Sequence, residues 1–334
     1  MRLGVHVTIA GGLLETAARA ERLGCTTMQI FSRSPRGGPA PKIADDVLAG
    51  FQSRLKALDI TPLAVHAPYI INLASPEDRM WEQSVRLYDD EYARIAWLGA
   101  DFLVTHVGSP KGAEDSLGIR RVAEAINRVL SHTPAKSLIL LENTAGSGQG
   151  LGARFEQLRG IREQVKEKAR VGICLDTAHL FASGYPIHTA EGLEEVVQAF
   201  DREVGLDLLK LIHLNDSKVP FDAKADRHWH IGYGHIGREA FRRIINHPKL
   251  SSVPMVLETP KESDVEDQHN LATVRALASH PDRPAQMPAY DAGFAMEQAV
   301  AKQAPTKQTV AKRVPAKPEE RPATAKRTGR TRRA

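Results

Sequence analysis

Eight apolar runs of strand length recur along the chain at even spacing. They are Leu3–Val7, Thr26–Phe31, Pro62–His66, Phe102–Val107, Leu138–Glu142, Val171–Leu175, Leu208–Leu214 and Val253–Glu258. Runs this short and this continuously apolar read as strands buried on both faces. Between them the period changes to that of helices. Ile43, Val47, Phe51, Leu55 and Leu58 share one helical face, and so do Trp81, Val85, Tyr88, Tyr92 and Ile95. Ile119, Val122, Ile126 and Val129 form a third face, and Leu193, Val196, Phe200 and Val204 a fourth. Strand alternating with helix eight times predicts an α/β fold closed as a (β/α)8 TIM barrel. An open doubly wound sheet fits less well, since it more often stops at five to seven strands. No GxGxxG or Walker pattern follows any strand, so a nucleotide cofactor has no support.

The pattern ends before the chain does. Residues 301–334 hold five Lys and six Arg against two Glu, a net of +9, which leaves −4 of the overall +5 on residues 1–300. This Ala-, Pro- and Lys/Arg-rich segment has almost nothing apolar to bury and is expected to be disordered. The predicted organisation is a barrel domain over 1–283 followed by a linker and basic tail over 284–334. No apolar run is long enough for a bilayer, and the N-terminus has no signal-peptide pattern. Cys25 and Cys174 lie inside apolar runs without CxxC spacing and read as buried thiols of a reducing compartment.

In such a barrel the chemistry sits above the carboxyl ends of the strands. Six consecutive runs end there in His66, His106, Glu142, Asp176, His213 and Glu258. One turn beyond Asp176 comes His179. If the chain enters a helical turn there, the two share a face; the alternative is an N-capping Asp beside a surface His. Asp226 and His228 are two apart and share a face in extended backbone. Nine potential ligands are too many for one catalytic ion. They suit two or three divalent ions, zinc foremost given five imidazoles. Paired ions are a standard device for displacement at phosphorus.

These stretches resemble endonuclease IV (deoxyribonuclease IV), the zinc-dependent abasic-site endonuclease family of the xylose-isomerase-like barrels. The matching segments are Gly4-Val5-His6-Val7, His66 with Tyr69-Ile70-Ile71-Asn72-Leu73, Thr105-His106-Val107-Gly108-Ser109 and Leu141-Glu142-Asn143-Thr144-Ala145-Gly146. Cys174 to His179, His213 to Lys218, Asp226-Arg227-His228 and Leu257-Glu258-Thr259 complete the match. The resemblance implies three Zn2+ per chain, with Mn2+ possible at one site. His66, His106 and Glu142 would hold one ion, and Glu142 would bridge to a second completed by Asp176, His213 and Glu258. His179, Asp226 and His228 would hold the third. It further implies hydrolysis of the phosphodiester 5′ to an abasic site by a metal-bridging hydroxide, with Glu142 the catalytic bridge. The expected partner is double-stranded DNA with abasic or 3′-blocked lesions, in base excision repair by a cytoplasmic, nucleoid-associated monomer without membrane attachment.

Arg36, Tyr69, Ile70 and Arg227 take the DNA-contacting positions of the resemblance. The family pattern after strand two continues Arg-x-Trp, whereas this chain reads Ser34-Pro35-Arg36-Gly37-Gly38. The missing aromatic and two glycines predict a looser loop. His6 reads as a packing or supporting residue, Asn215 and Asp216 as orienting ligands, and His230 and His235 as solvated. Gly146–Gly152 is a Gly-rich surface suited to lie near DNA, while the basic tail is expected to touch phosphates without regard to sequence. Two rivals remain: a one-metal sugar isomerase or epimerase on the same barrel, and a non-catalytic protein binding DNA through its tail.

Overall fold

A computed structural model describes residues 1–133 and 135–279. The boundary near 283 and the basic tail lie outside the described residues. Eight strands run parallel: β1 (Leu3–Val5), β2 (Met28–Phe31), β3 (Leu63–His66), β4 (Phe102–His106), β5 (Leu138–Glu142), β6 (Val171–Asp176), β7 (Leu209–His213) and β10 (Met255–Leu257). Their order is β1-β10-β7-β6-β5-β4-β3-β2. A parallel bridge between His6 and Gln29 and the bond from Val7 N to Gln29 O (2.7 Å) close the ring between β1 and β2. The expected (β/α)8 barrel is therefore the fold. At that seam Gly4 is required, because an added Cβ would collide with the Thr27 carbonyl.

The predicted helical faces pack into the core around the strands, though Ile43 and Leu58 fall outside the helix Asp45–Ala57 and Val204 just beyond Ala190–Glu203. In α3 (Asp78–Leu98), Trp81, Val85, Tyr88, Tyr92 and Ile95 are all buried. The Tyr88 hydroxyl meets Thr105 Oγ1 and the Tyr92 hydroxyl donates to Ser137 O, both at 2.7 Å, so neither buried phenol is left unpaired. Truncating either ring to alanine would cost about 3–5 kcal/mol.

Inside the barrel, Ala64, Val104, Leu140, Cys174, Leu211 and Val256 form one buried apolar layer. Residues two apart on a strand point the same way. Each member of that layer is therefore followed, one step up and on the same face, by His66, His106, Glu142, Asp176, His213 or Glu258. The dry layer is the floor of the site. Among the described residues no helix is long and apolar enough to cross a membrane.

Candidate metal centre

Three groups of possible ligands converge on that floor, each with donor atoms within 4.8 Å of one another: His66, His106 and Glu142; Glu142, Asp176, His213 and Glu258; and Asp176, His179 and His228. Asp226 joins the last through Oδ1, 3.2 Å from His179 Nε2 and 3.4 Å from His228 Nε2. All nine predicted residues thus meet. Glu142 is fully buried and central: His66 Nε2 (3.2 Å), His106 Nε2 (3.1 Å) and His213 Nδ1 (3.0 Å) surround its carboxylate.

Asp176 has two roles. Its Oδ1 accepts from His179 N (2.8 Å) and caps α6 (Thr177–Ala182). Its Oδ2 faces His228 Nε2 at 3.4 Å and His213 Nδ1 at 4.0 Å. The cap of the blander reading is present, but its surface His is not: His179 is buried and shares the pocket with Asp176. Asp176 also stands at the junction of the second and third groups, not in the second alone.

Four of the five imidazoles have one ring nitrogen anchored by a carbonyl, though that of His179 also lies 3.4 Å from Glu142 Oε1. His66 Nδ1 donates to Ala67 O (2.7 Å), His179 Nδ1 to Asn143 O (2.9 Å) and His228 Nδ1 to Glu258 O (3.2 Å). His213 Nε2 donates to Gln29 Oε1 (2.8 Å). Each bond fixes the tautomer and leaves the other nitrogen's lone pair aimed inward. Burial opposes ionisation of Glu142, yet the His106 and His213 imidazoles hold its carboxyl well below the ordinary range. Burial likewise works against a charged His179, but Asp176, Asp226 and Glu142 raise it well above its usual value. Inward lone pairs around buried carboxylates form a cation-seeking set, and the residues present fit divalent ions.

Two asparagines brace the carboxylates. Asn215 Nδ2 donates to Asp176 Oδ2, while its Oδ1 accepts from Glu258 N, both at 2.7 Å. Asn143 Oδ1 accepts from Asp176 N (2.6 Å). Asp216, in β8 (Asp216–Ser217), accepts from the amides of Ser217, Gly232, Gly234 and Ile236 at 2.7–3.0 Å. It thereby ties down the loop after β9 (His228–Trp229), which pairs antiparallel with β8 and carries His228. Asn215 thus holds Asp176 and Glu258 directly, whereas Asp216 touches none of the nine and acts only on the loop around them. His230 is not solvated: it is buried, with Nδ1 3.0 Å from Asn270 Nδ2.

Beside the pocket Tyr69 and Ile70 are 60% and 52% exposed, unusual for an apolar pair. Tyr69 N donates to Pro35 O (3.0 Å). Gly37 adopts φ +93°, and a Cβ there would stand 2.5 Å from Ile70 Cδ1. The glycine loop is therefore a packing partner of Ile70 and not simply loose. Its base is held by buried Arg33, paired with Asp90 and Glu91, and by Arg94 donating to Ser32 O and Pro41 O. Arg36 is exposed on this loop, and Arg227 is exposed between Asp226 and His228.

The xylose isomerase-like TIM barrel family matches residues 17–280. A Halothermothrix orenii protein named "Probable endonuclease 4" is 46% identical over 263 residues, 79% of this chain and 95% of its own length. Its namesake from Chloroflexus aurantiacus is 43% identical over 278 residues, covering 83% and 98%. This chain belongs to the endonuclease IV family. The crystal structure of endonuclease IV from Thermus thermophilus superposes with a TM-score of 0.75 at 34% identity, covering 84% of this chain and all of that one. D-psicose 3-epimerase from Clostridium cellulolyticum shares the barrel at 16% identity and a TM-score of 0.59, a likeness of fold alone.

Sequence reasoning missed Gln29. It is fully buried, level with Ala64 on the neighbouring strand, and touches His213, Glu258 and His6. The available signal was one polar residue inside the apolar run of β2.

Proposed function

We infer that this endonuclease IV homologue is a zinc-dependent hydrolase of DNA repair, cutting the phosphodiester 5′ to an abasic site to leave a 3′-hydroxyl and a 5′-deoxyribose phosphate. The observation that carries the reading is the convergence of nine His, Asp and Glu side chains on one floor, with four of the five imidazole tautomers already set for ligation. His66, His106 and Glu142 would hold one ion. Glu142, Asp176, His213 and Glu258 would hold a second, and His179, Asp226 and His228 a third, with Asp176 alongside. Divalent ions bound there would supply Lewis-acid polarisation of phosphate oxygens and a water of lowered pKa.

The protein's own part is positioning. Glu142 presents its carboxylate to two groups at once, and the buried floor keeps bulk water from beneath the reacting phosphate. Tyr69 and Ile70 offer apolar surface next to the pocket, fit to take the place of a missing base against its stacked neighbours. Arg36 and Arg227 would pair with backbone phosphates. A single-ion isomerase would leave His179, Asp226 and His228 without employment.

A duplex carrying one tetrahydrofuran abasic analogue tests this, because the analogue cannot undergo β-elimination. Hydrolysis 5′ to it, abolished by chelator and restored by zinc, is expected. Cleavage indifferent to chelator would overturn the reading.

A further inference from the structure

Gln29 is the one polar side chain that the run Met28–Phe31 carries into the barrel, and it is fully buried. It stands at the seam, where its backbone bridges His6. Its amide reaches three groups. Oε1 accepts from His213 Nε2 at 2.8 Å, and Nε2 donates to Glu258 Oε1 at 2.6 Å and to His6 Nδ1 at 3.0 Å. The orientation of the amide is forced by chemistry. An ionised carboxylate only accepts, so the NH2 must face Glu258, and the carbonyl is left for a protonated His213 Nε2.

The consequence lies on the opposite side of each partner. With Nε2 protonated, the lone pair of His213 is on Nδ1, which faces Glu142 Oε1 at 3.0 Å and Glu258 Oε2 at 3.1 Å. With Oε1 of Glu258 held by the amide, its Oε2 is the oxygen left for that same point. One side chain therefore sets the tautomer of one ligand and the rotamer of another.

We propose that Gln29 is a positioning residue of the metal centre: its amide locks His213 as the Nε2–H tautomer and aims Glu258 Oε2, so that these two of the four second-group side chains meet one ion. It touches no reacting atom and acts only through the two ligands. The proposal rests on the reading of this site as a metal centre. A buried glutamine with a purely structural task would affect folding without regard to the ion. A positioning residue would change how the ion is held, by about 10- to 100-fold in affinity for a supporting partner of this kind.

The test uses the zinc-loaded full chain and two near-isosteric variants, Gln29→Met and Gln29→Glu. Metal release to a competing chelator is followed alongside the ¹⁵N imidazole spectrum of His213 and the kcat and KM for the abasic-analogue duplex. Gln29→Met should hold the second-group ion roughly 10- to 100-fold more weakly, give mixed His213 tautomers, and lower kcat with KM unchanged. Gln29→Glu keeps an acceptor for His213 and loses the donor to Glu258. It should retain the tautomer and still release metal faster. Wild-type metal retention and an unchanged tautomer in both variants would overturn the proposal, whatever happens to melting temperature. Should Gln29→Met not fold, metal retention by Gln29→Glu decides alone. If the wild-type chain itself neither holds metal nor cuts, the functional reading fails and this proposal with it. If the wild type does both and the variants match it, this proposal alone fails.

Discussion

His179 and His228 point their Nε2 atoms at each other across 3.4 Å, while the Nδ1 of each ring is held by a backbone carbonyl. Both inward nitrogens are therefore lone-pair donors, and two lone pairs at that separation repel unless a cation lies between them. Asp226 Oδ1, at 3.2 and 3.4 Å from the same two atoms, supplies the charge that would complete a ligand set. Without an ion, protons take its place.

That competition gives a pH dependence with a definite sign. Burial opposes protonation of His179 and His213, yet neighbouring acidic groups raise both well above their usual value of 6.5. Ligation needs the same nitrogens free of protons. Metal should be held fully at neutral to alkaline pH and released progressively as pH falls, beginning above the ordinary imidazole range. Chelator-competition titrations from about pH 8 to 5 check this. Affinity that stays flat across that range would contradict it.

Glu142→Gln should lower cleavage by at least about 10³-fold with DNA binding largely kept, since an amide cannot serve two ions with the same charge. Turnover of the abasic-analogue duplex and affinity measured by anisotropy separate the two effects. Near wild-type turnover would remove Glu142 from its bridging place.

The packing of Ile70 on Gly37 makes a prediction about lesion recognition. Ile70→Ala removes exposed apolar surface worth about 1.5–2 kcal/mol when buried against bases. KM for the abasic-analogue duplex should rise roughly 10- to 30-fold with kcat little changed. Gly37→Ala should do the same by displacing Ile70, because a Cβ there meets its Cδ1 at 2.5 Å. Unaltered KM in both variants would show that this pair does not touch the lesion.

Truncation after residue 300 removes a segment of net +9. Cleavage at low salt should be nearly unchanged, while binding to undamaged duplex weakens. Each phosphate contact contributes about −0.9 to the slope of log affinity against log salt, so four or five contacts would be plainly visible. Parallel slopes for the full-length and truncated proteins would mean that the tail does not reach DNA.

Much of this was legible in the residues because strand parity is strict. Ala64 and His66, Val104 and His106, Leu140 and Glu142 each show an apolar floor residue followed two positions later by a candidate ligand. What stayed hidden has local causes. The inward face of α1 (Leu13–Arg22) is Leu13, Thr16, Ala17 and Ala20, mostly residues too small to mark a hydrophobic stripe. Helix α6 is six residues long, too short for a period to show. Gln29 sat in a run read as wholly apolar, and its partners lie on β7 and beyond β10, distant in sequence. The tie between Gly37 and Ile70 is a contact of two loops, which no spacing encodes.

Metal content tests the central claim most directly. Eight candidate ligands in three overlapping groups, with Asp226 beside the third, predict close to three ions per chain, zinc or zinc with manganese, retained through desalting. Elemental analysis of the purified protein against its amino-acid concentration gives the number. A value near three supports the account, and a single ion per chain would contradict it.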